Sequence, residues 1–281
     1  MSGIWSSGGN VGTAREGLSS GGNIGDAFCA GGYNGARVAT TEEYNGSTWS
    51  YGGNLNTARA NFPGGGTPEN AICMGGSPPS GKSAVTEEYN GTAWSSGGNL
   101  NSARDTLGGD GTALNAICMG GILSSEAVVK YTEVYNGSTW SSSGNMNVAR
   151  AWLAGGGNGI DAMVFGNDIT SEEFNGSTWS YGGNSSVSRF RLAGGGGSSN
   201  AIAMGGYYGS NSTLTEEYNG LSWSSGGDLN TARKNLGGDG NSQGAISISG
   251  TSGYSSSGTP SGYSPVTEEY INSVDGGCIM I

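Results

Sequence analysis

Hydrophobic residues in this chain come in short runs bounded by glycine, asparagine and serine, and nowhere at helical spacing. The run "AICMGG" stands at 71–76 and 116–121, and "AIAMGG" at 201–206. After each comes a polar stretch of uneven length, then a phrase in which adjacent residues fall on opposite faces of a strand, "TEEYNGSTWS" at 41–50. The phrase returns as "TEEYNGTAWS" at 86, "TEVYNGSTWS" at 132, "SEEFNGSTWS" at 171 and "TEEYNGLSWS" at 215; a truncated "TEEY" sits at 267–270. Each unit therefore predicts four short strands: a Gly-rich one ("ANFPGGG", "DTLGGDG", "AWLAGGG"), the "AICMGG" run, "VTEEYNG" and "STWSSGG". "NG" supplies the hairpin turn between the third and fourth.

The units keep strict phase. Trp5, Trp49, Trp94, Trp140, Trp179 and Trp223 are spaced by 44, 45, 46, 39 and 44 residues. Ten residues after each comes Arg15, Arg59, Arg104, Arg150, Arg189 or Arg233, and fourteen further on a small or thin side chain: Cys29, Cys73, Cys118, Val164, Ala203 or Ser247. Four strands in a period of 40–50 residues are the signature of a β-propeller blade. The chain opens on a fourth strand, "GIWSSGG", and closes on a third, "VTEEY". The expected fold is all-β: one six-bladed propeller over 1–270, four antiparallel strands per blade, its ring closed by the N-terminal strand joining the last blade. Blades fall at about 15–49, 59–94, 104–140, 150–179, 189–223 and 233–270 plus 1–9, with 271–281 as a tail. Closure removes the open strand edges that invite aggregation.

The order Arg, Gly-Gly, Tyr, Trp resembles the Kelch repeat. The doublet stands at Gly31-Gly32, Gly75-Gly76, Gly120-Gly121 and Gly205-Gly206, and decays to Gly166-Asn167 and Ser249-Gly250. The resemblance implies a Kelch-like propeller with the Arg near the inner strand, the doublet ending the second strand, the Tyr on the third and the Trp on the fourth. The wording "EEYNGSTWSSGGNLNTAR" also resembles Kelch-type repeat proteins of tailed bacteriophages of marine bacteria. "NGSTW" partly resembles the Asp-box of sialidases, but Tyr44 stands where the Asp belongs, and the only Arg outside the repeat are Arg37 and Arg191.

Composition narrows the function. Of 281 residues 58 are Gly and none is His, and the formal charge is −11. That balance argues against nucleic acid and anionic membranes as partners. No stretch is apolar for long enough to span a bilayer, and "MSGIWSSGGN" lacks the basic start and apolar run of a secretory signal. Without His, imidazole-based metal sites, triads and acid–base chemistry are excluded, including the copper site of oxidases that share the Kelch propeller. A position that accepts Cys, Val, Ala and Ser is a small buried site rather than a metal ligand. No cofactor and no metal are expected.

The repeated residues have structural roles to fill. Trp and the third-strand Tyr44, Tyr89, Tyr135, Phe174, Tyr218 and Tyr270 are expected to pack between blades; the alternative is a ring of sugar-stacking platforms. The six Arg are expected to bond carbonyls or a Glu of the acidic phrase and so tie blade to blade; the alternative is an anion site.

Every change of length falls between the second and third strands. Those loops share a face with the fourth-to-first connections, so one face varies and the other is uniform. Tyr33, Arg37, Tyr207, Tyr208, Tyr254 and Tyr263 lie on this variable face and are the candidate ligand-binding residues. Drift in unconstrained loops is the alternative.

Three functions compete. The first is a non-enzymatic binding module, a virion component of tail or capsid made in the host cytoplasm, whose partners are other virion proteins or a host-surface glycan or protein. The second is a purely structural decoration or spacer. The third is a glycan-active hydrolase, for which Asp110 and Asp239, with Asp105 and Asp168, are the available carboxylates.

Overall fold

The computed structural model describes residues 3–253 and 262–272. Six four-stranded antiparallel sheets stand around one axis, and no helix occurs among the described residues. In blade 1 the strands run Ser19–Asn23, Asp26–Ala30, Thr41–Tyr44 and Trp49–Tyr51, from the axis outward. The sixth blade joins Gly237–Gly240, Gly244–Ile248 and Thr267–Ile271 to Ile4–Ser7, with Trp5 opposite Tyr270. The ring reaches slightly past the expected boundary at 270. Ile271 pairs with Ile4 and Gly244, and Asn272 donates its amide to the Gln243 carbonyl. The rest of the expected tail lies outside the described residues.

The third-to-fourth turn is longer than a two-residue "NG" hairpin. Tyr44 pairs with Trp49, leaving the four-residue loop Asn45–Thr48, and only Gly46 has a positive φ (84°). Asn45 Oδ1 accepts the amides of Ser47 and Thr48, which stands in for the missing backbone bonds. The Gly-Gly doublet has a similar cause. Gly31 (φ 62°) and Gly32 (φ 103°) both need left-handed backbone, and the Gly32 amide donates to the Arg59 carbonyl of the next blade. Where the doublet decays, Asn167 (φ 63°) and Ser249 (φ 55°) carry the strain instead.

Each Arg lies buried against a Glu of its own blade: Arg15–Glu42, Arg59–Glu87 and Arg104–Glu133 at 2.6 Å, Arg189–Glu216 at 2.7 Å, Arg233–Glu268 at 2.8 Å and Arg150–Glu172 at 3.3 Å. The Arg side chain therefore does not tie blade to blade as expected, because it reaches along its own sheet. The Glu makes that tie. Glu87 accepts the amide of Asn56 at 2.7 Å, and Glu133 that of Asn101 at 2.7 Å, both on the connection arriving from the preceding blade. The Arg backbone carbonyl makes a second tie, to the doublet of the preceding blade.

The aromatic residues pack between blades. Each Trp Nε1 donates to a hydroxyl of the preceding blade, as in Trp94 to Thr41 at 2.9 Å, Trp140 to Thr86 at 2.9 Å and Trp5 to Thr215 at 3.0 Å. The same Trp lies 4.9–5.1 Å from the third-strand ring of its own blade, as in Tyr89–Trp94 (4.9 Å) and Phe174–Trp179 (5.1 Å). Tyr44, Tyr89 and Tyr218 donate their hydroxyls to Glu269, Glu43 and Glu173 of the preceding blade at 2.5–2.6 Å; Tyr135 bonds Glu88 and Tyr270 bonds Glu217 likewise. Burial, then the acceptor Glu, pushes Tyr44, Tyr89 and Tyr135 up to about 12, so these phenols stay donors at neutral pH.

One interface breaks this pattern three times. Val134 replaces the acceptor Glu, Phe174 replaces the donor Tyr, and Ser143 replaces a glycine. The three sites meet between blades 3 and 4, where Val134 packs on the cluster that contains Phe174. At the other interfaces a Cβ on that glycine would collide with the hydroxyl: 2.6 Å from Tyr89 at Gly52, 2.9 Å from Tyr135 at Gly97. Removing the hydroxyl admits the serine and makes the carboxylate superfluous.

Phe174→Tyr alone is expected to cost about 1–3 kcal/mol, since its hydroxyl crowds the Ser143 Cβ and meets Val134 where the other interfaces have the acceptor Glu. The triple variant V134E/S143G/F174Y restores the common pattern and is expected within about 1 kcal/mol of wild type. Urea unfolding decides it: a triple variant no more stable than F174Y alone contradicts the coupling. Arg59→Met, which strands Glu87, is expected to cost about 3–5 kcal/mol in the same assay, and a loss below about 1 kcal/mol contradicts the pairing.

Candidate functional site

Two residues after each repeated Arg the chain reaches the axis on the variable face. Those residues are Gly17, Asn61, Thr106, Trp152, Arg191 and Asn235, and all have left-handed backbone, with φ of 59, 57, 52, 50, 60 and 50°. Each amide donates to the carbonyl of the equivalent residue in the preceding blade: Asn61 to Gly17 at 2.7 Å, Thr106 to Asn61 at 2.9 Å, Trp152 to Thr106 at 2.9 Å, Arg191 to Trp152 at 2.9 Å and Asn235 to Arg191 at 2.8 Å. Gly17 donates to Asn235 at 2.9 Å and closes the circle. Left-handed backbone costs a residue with a side chain roughly 1–2 kcal/mol, and for Trp, Thr and Arg it is an outlier. Five of the six positions carry a side chain, and the identity differs in almost every blade.

Under this crown lies an axial cavity of about 120 Å³. A collar of Leu18, Phe62, Leu107, Leu153, Leu192 and Leu236 forms its upper wall. Trp152 is 38% exposed at the mouth, and the Arg191 guanidinium lies 5.9 Å from its ring centroid and 5.9 Å from that of Phe190. Arg191 Nε is buried without a hydrogen-bond partner, and Arg191 makes no ion pair among the described residues.

Asp110 and Asp239 form the floor, four residues along the first strands of blades 3 and 6 and about 13 Å below the crown at about 3.3 Å per residue. The other four blades have glycine there, and the missing side chains make room: a Cβ on Gly65 would lie 2.1 Å from Asp110 Oδ1, and one on Gly195 2.2 Å from Asp239 Oδ1. Asp110 accepts the amides of Gly111 (2.7 Å) and Gly157 (2.9 Å); Asp239 accepts those of Gly240 (2.7 Å) and Gly22 (3.0 Å). Burial, then the charge of Asp239, raises Asp110 well above the ordinary carboxylate range, and burial pushes Asp239 up to about 6. Burial and the mutual repulsion of the two carboxylates both disfavour ionising the pair together. Asp105 and Asp168 do not join it: Asp105 lies 3.9 Å from Lys82, and Asp168 accepts the amide of Ile169. No group of three metal-binding side chains gathers among the described residues.

The loop candidates fall into separate groups around the crown. Tyr33 pairs with Glu16 and Arg37 and meets Tyr263 edge-on at 6.3 Å. Arg37 reaches the next loop, donating to the Ser77 carbonyl at 2.5 Å and Ser77 Oγ at 2.9 Å. Tyr207 packs against Phe190 at 5.3 Å with the rings tilted by 56° and Lys234 Nζ 4.5 Å above the Tyr207 ring, and Tyr208 is 49% exposed. Tyr254 lies outside the described residues. Cys29, Cys73 and Cys118 are free and buried, and burial pushes each thiol up to about 12.

Sequence reasoning missed Trp152 and the crown itself. The available signal was the seventh Trp, out of phase with the other six, at a position two after the Arg that reads Gly, Asn, Thr, Trp, Arg, Asn around the ring. No protein-family model and no curated protein matches the chain.

The axial carboxylates make stability depend on pH with a definite sign. Their folded values lie above the unfolded value of about 3.9, so their stabilising contribution is complete below that pH and is lost as pH rises through about 6 and beyond. Asp239→Asn and Asp110→Asn cannot ionise. Each should gain in Tm relative to wild type between pH 4.5 and 8, and a difference that stays constant across that range refutes the upward shift of these carboxyls.

Proposed function

We propose that the protein is a non-enzymatic recognition module that presents its variable face to a protein or a glycan. One observation carries this: the loops between second and third strands, where all variation in length falls, share one face with the crown side chains that differ from blade to blade around the axial mouth. Strained backbone at that mouth supports the reading, since such strain is kept where a side chain must be displayed. The absence of His supports a role without chemistry, as does the engagement of Asp110 and Asp239 by glycine amides. The axial cavity of about 120 Å³ is well below the roughly 300 Å³ at which ligand pockets begin, so a ligand rests on the mouth rather than inside. The repeat wording extends the proposal to a Kelch-type virion protein of a tailed phage, in tail or capsid, with other virion proteins or a host-surface glycan or protein as partner.

A glycan array tests it, using wild type and a variant in which residues 254–261 are replaced by Asn-Gly. The Ser252 amide donates to the Gly262 carbonyl at 2.8 Å, so the short turn closes an existing hairpin. The expected result is glycan binding by wild type, weakened tenfold or more by the replacement. Undiminished binding by the variant removes this loop from the site. No binding by folded wild type overturns recognition of glycans and favours a structural part of a particle.

A further inference from the structure

We propose that the axial mouth binds a carboxylated sugar, with the Trp152 ring as the platform for the pyranose and Arg191 as the partner of its carboxylate. The inference rests on the recognition reading above and narrows it to one site and one ligand class.

The crown's main chain is already committed. All six amides donate within the closed circle, so none remains to pair with the main chain of a peptide. Recognition falls to side chains, and those present match a sugar acid. Trp152 offers a partly exposed aromatic face, suited to the C–H face of a pyranose. Asn61, exposed two blades round from Trp152 with Thr106 between them, offers across the mouth an amide with both donors and an acceptor, which is what vicinal hydroxyls require. Arg191 supplies a planar fork for a carboxylate and makes no ion pair among the described residues.

Position and charge set the orientation. Trp152 and Arg191 are neighbours in the hydrogen-bonded circle and stand on adjacent blades 4 and 5. Blade 4 has the shortest of the variable loops, Asp168-Ile169, so this arc of the mouth is the least overhung. The acidic floor and the net charge of −11 disfavour an anion deep in the channel, which keeps the carboxylate at the rim with Arg191. The collar of five leucines and Phe62 below places an apolar ring between the rim and the acidic floor.

Left-handed backbone supplies an unusually clean test. Glycine is at home at φ 50° and 60°, so Trp152→Gly and Arg191→Gly relieve strain while deleting the proposed contacts. Both variants are expected to melt at or above the wild-type temperature. In titration calorimetry on the full chain, glucuronate should bind wild type at least tenfold more tightly than glucose. Arg191→Gly should abolish that preference, and Trp152→Gly should weaken both sugars. Equal affinity of wild type for glucuronate and glucose overturns the inference, as does an unchanged preference in a folded Arg191→Gly protein. The same two variants on the glycan array separate the readings. Binding that survives both substitutions defeats the axial site and leaves recognition elsewhere on the face intact. A folded wild type that binds no sugar in either assay defeats both.

Discussion

Six blades must each turn the chain by the same amount for the ring to meet itself, and that constraint governs the rest of the molecule. An error at one interface cannot be absorbed locally, because the last blade must still reach the first. The interfaces therefore repeat one set of contacts: an indole to a hydroxyl, a doublet-position amide to an arginine carbonyl and a crown amide to a crown carbonyl at all six, and a phenol to a carboxylate at five. The buried Arg–Glu pairs fix each Arg against the second and third strands of its blade and leave one carboxylate oxygen for the arriving connection. Buried ion pairs are weak sources of net stability, but removing one partner is costly. Here they act as fixed fasteners that make every blade the same shape.

Where the contact set changes, it changes as a unit. Val134, Ser143 and Phe174 lie far apart in the repeat, and each looks like ordinary drift when a blade is read alone. Across one interface they are a single substitution of an apolar contact for a hydrogen-bonded one. The same logic explains the axis, where two aspartates on opposite blades fill the space that four glycines leave open.

Much of the architecture was legible in the sequence because repetition amplifies weak signals. No single "TEEY" or "GGG" specifies a strand, but in fixed phase Trp, Arg and a small residue identify blades, strand order and the closure by Ile4–Ser7. Distances between units were not legible. The choice of Glu87 by Arg59 within the blade, rather than across it, depends on where the sheet places the guanidinium. The crown was hidden for another reason. Repeat analysis looks for what stays constant, and the crown is the position that does not. Nothing local in "RAWL" announces that Trp152 has left-handed backbone; only six equivalent strands converging on one axis reveal it.

The closing blade also sets the order of events during synthesis. Ile4–Ser7 is made before every other described strand, yet its partner Thr267–Ile271 comes at the far end of the described chain. At roughly 5–20 residues per second, the first strand waits between about ten seconds and a minute with its edge unpaired. Over that interval the growing chain is an open arc, with a free edge at each end and a neighbour's identical repeats within reach on the same messenger. Two nascent copies exchanging first strands would satisfy every contact in the ring, so fidelity of closure depends on the chain's own tail arriving before another's.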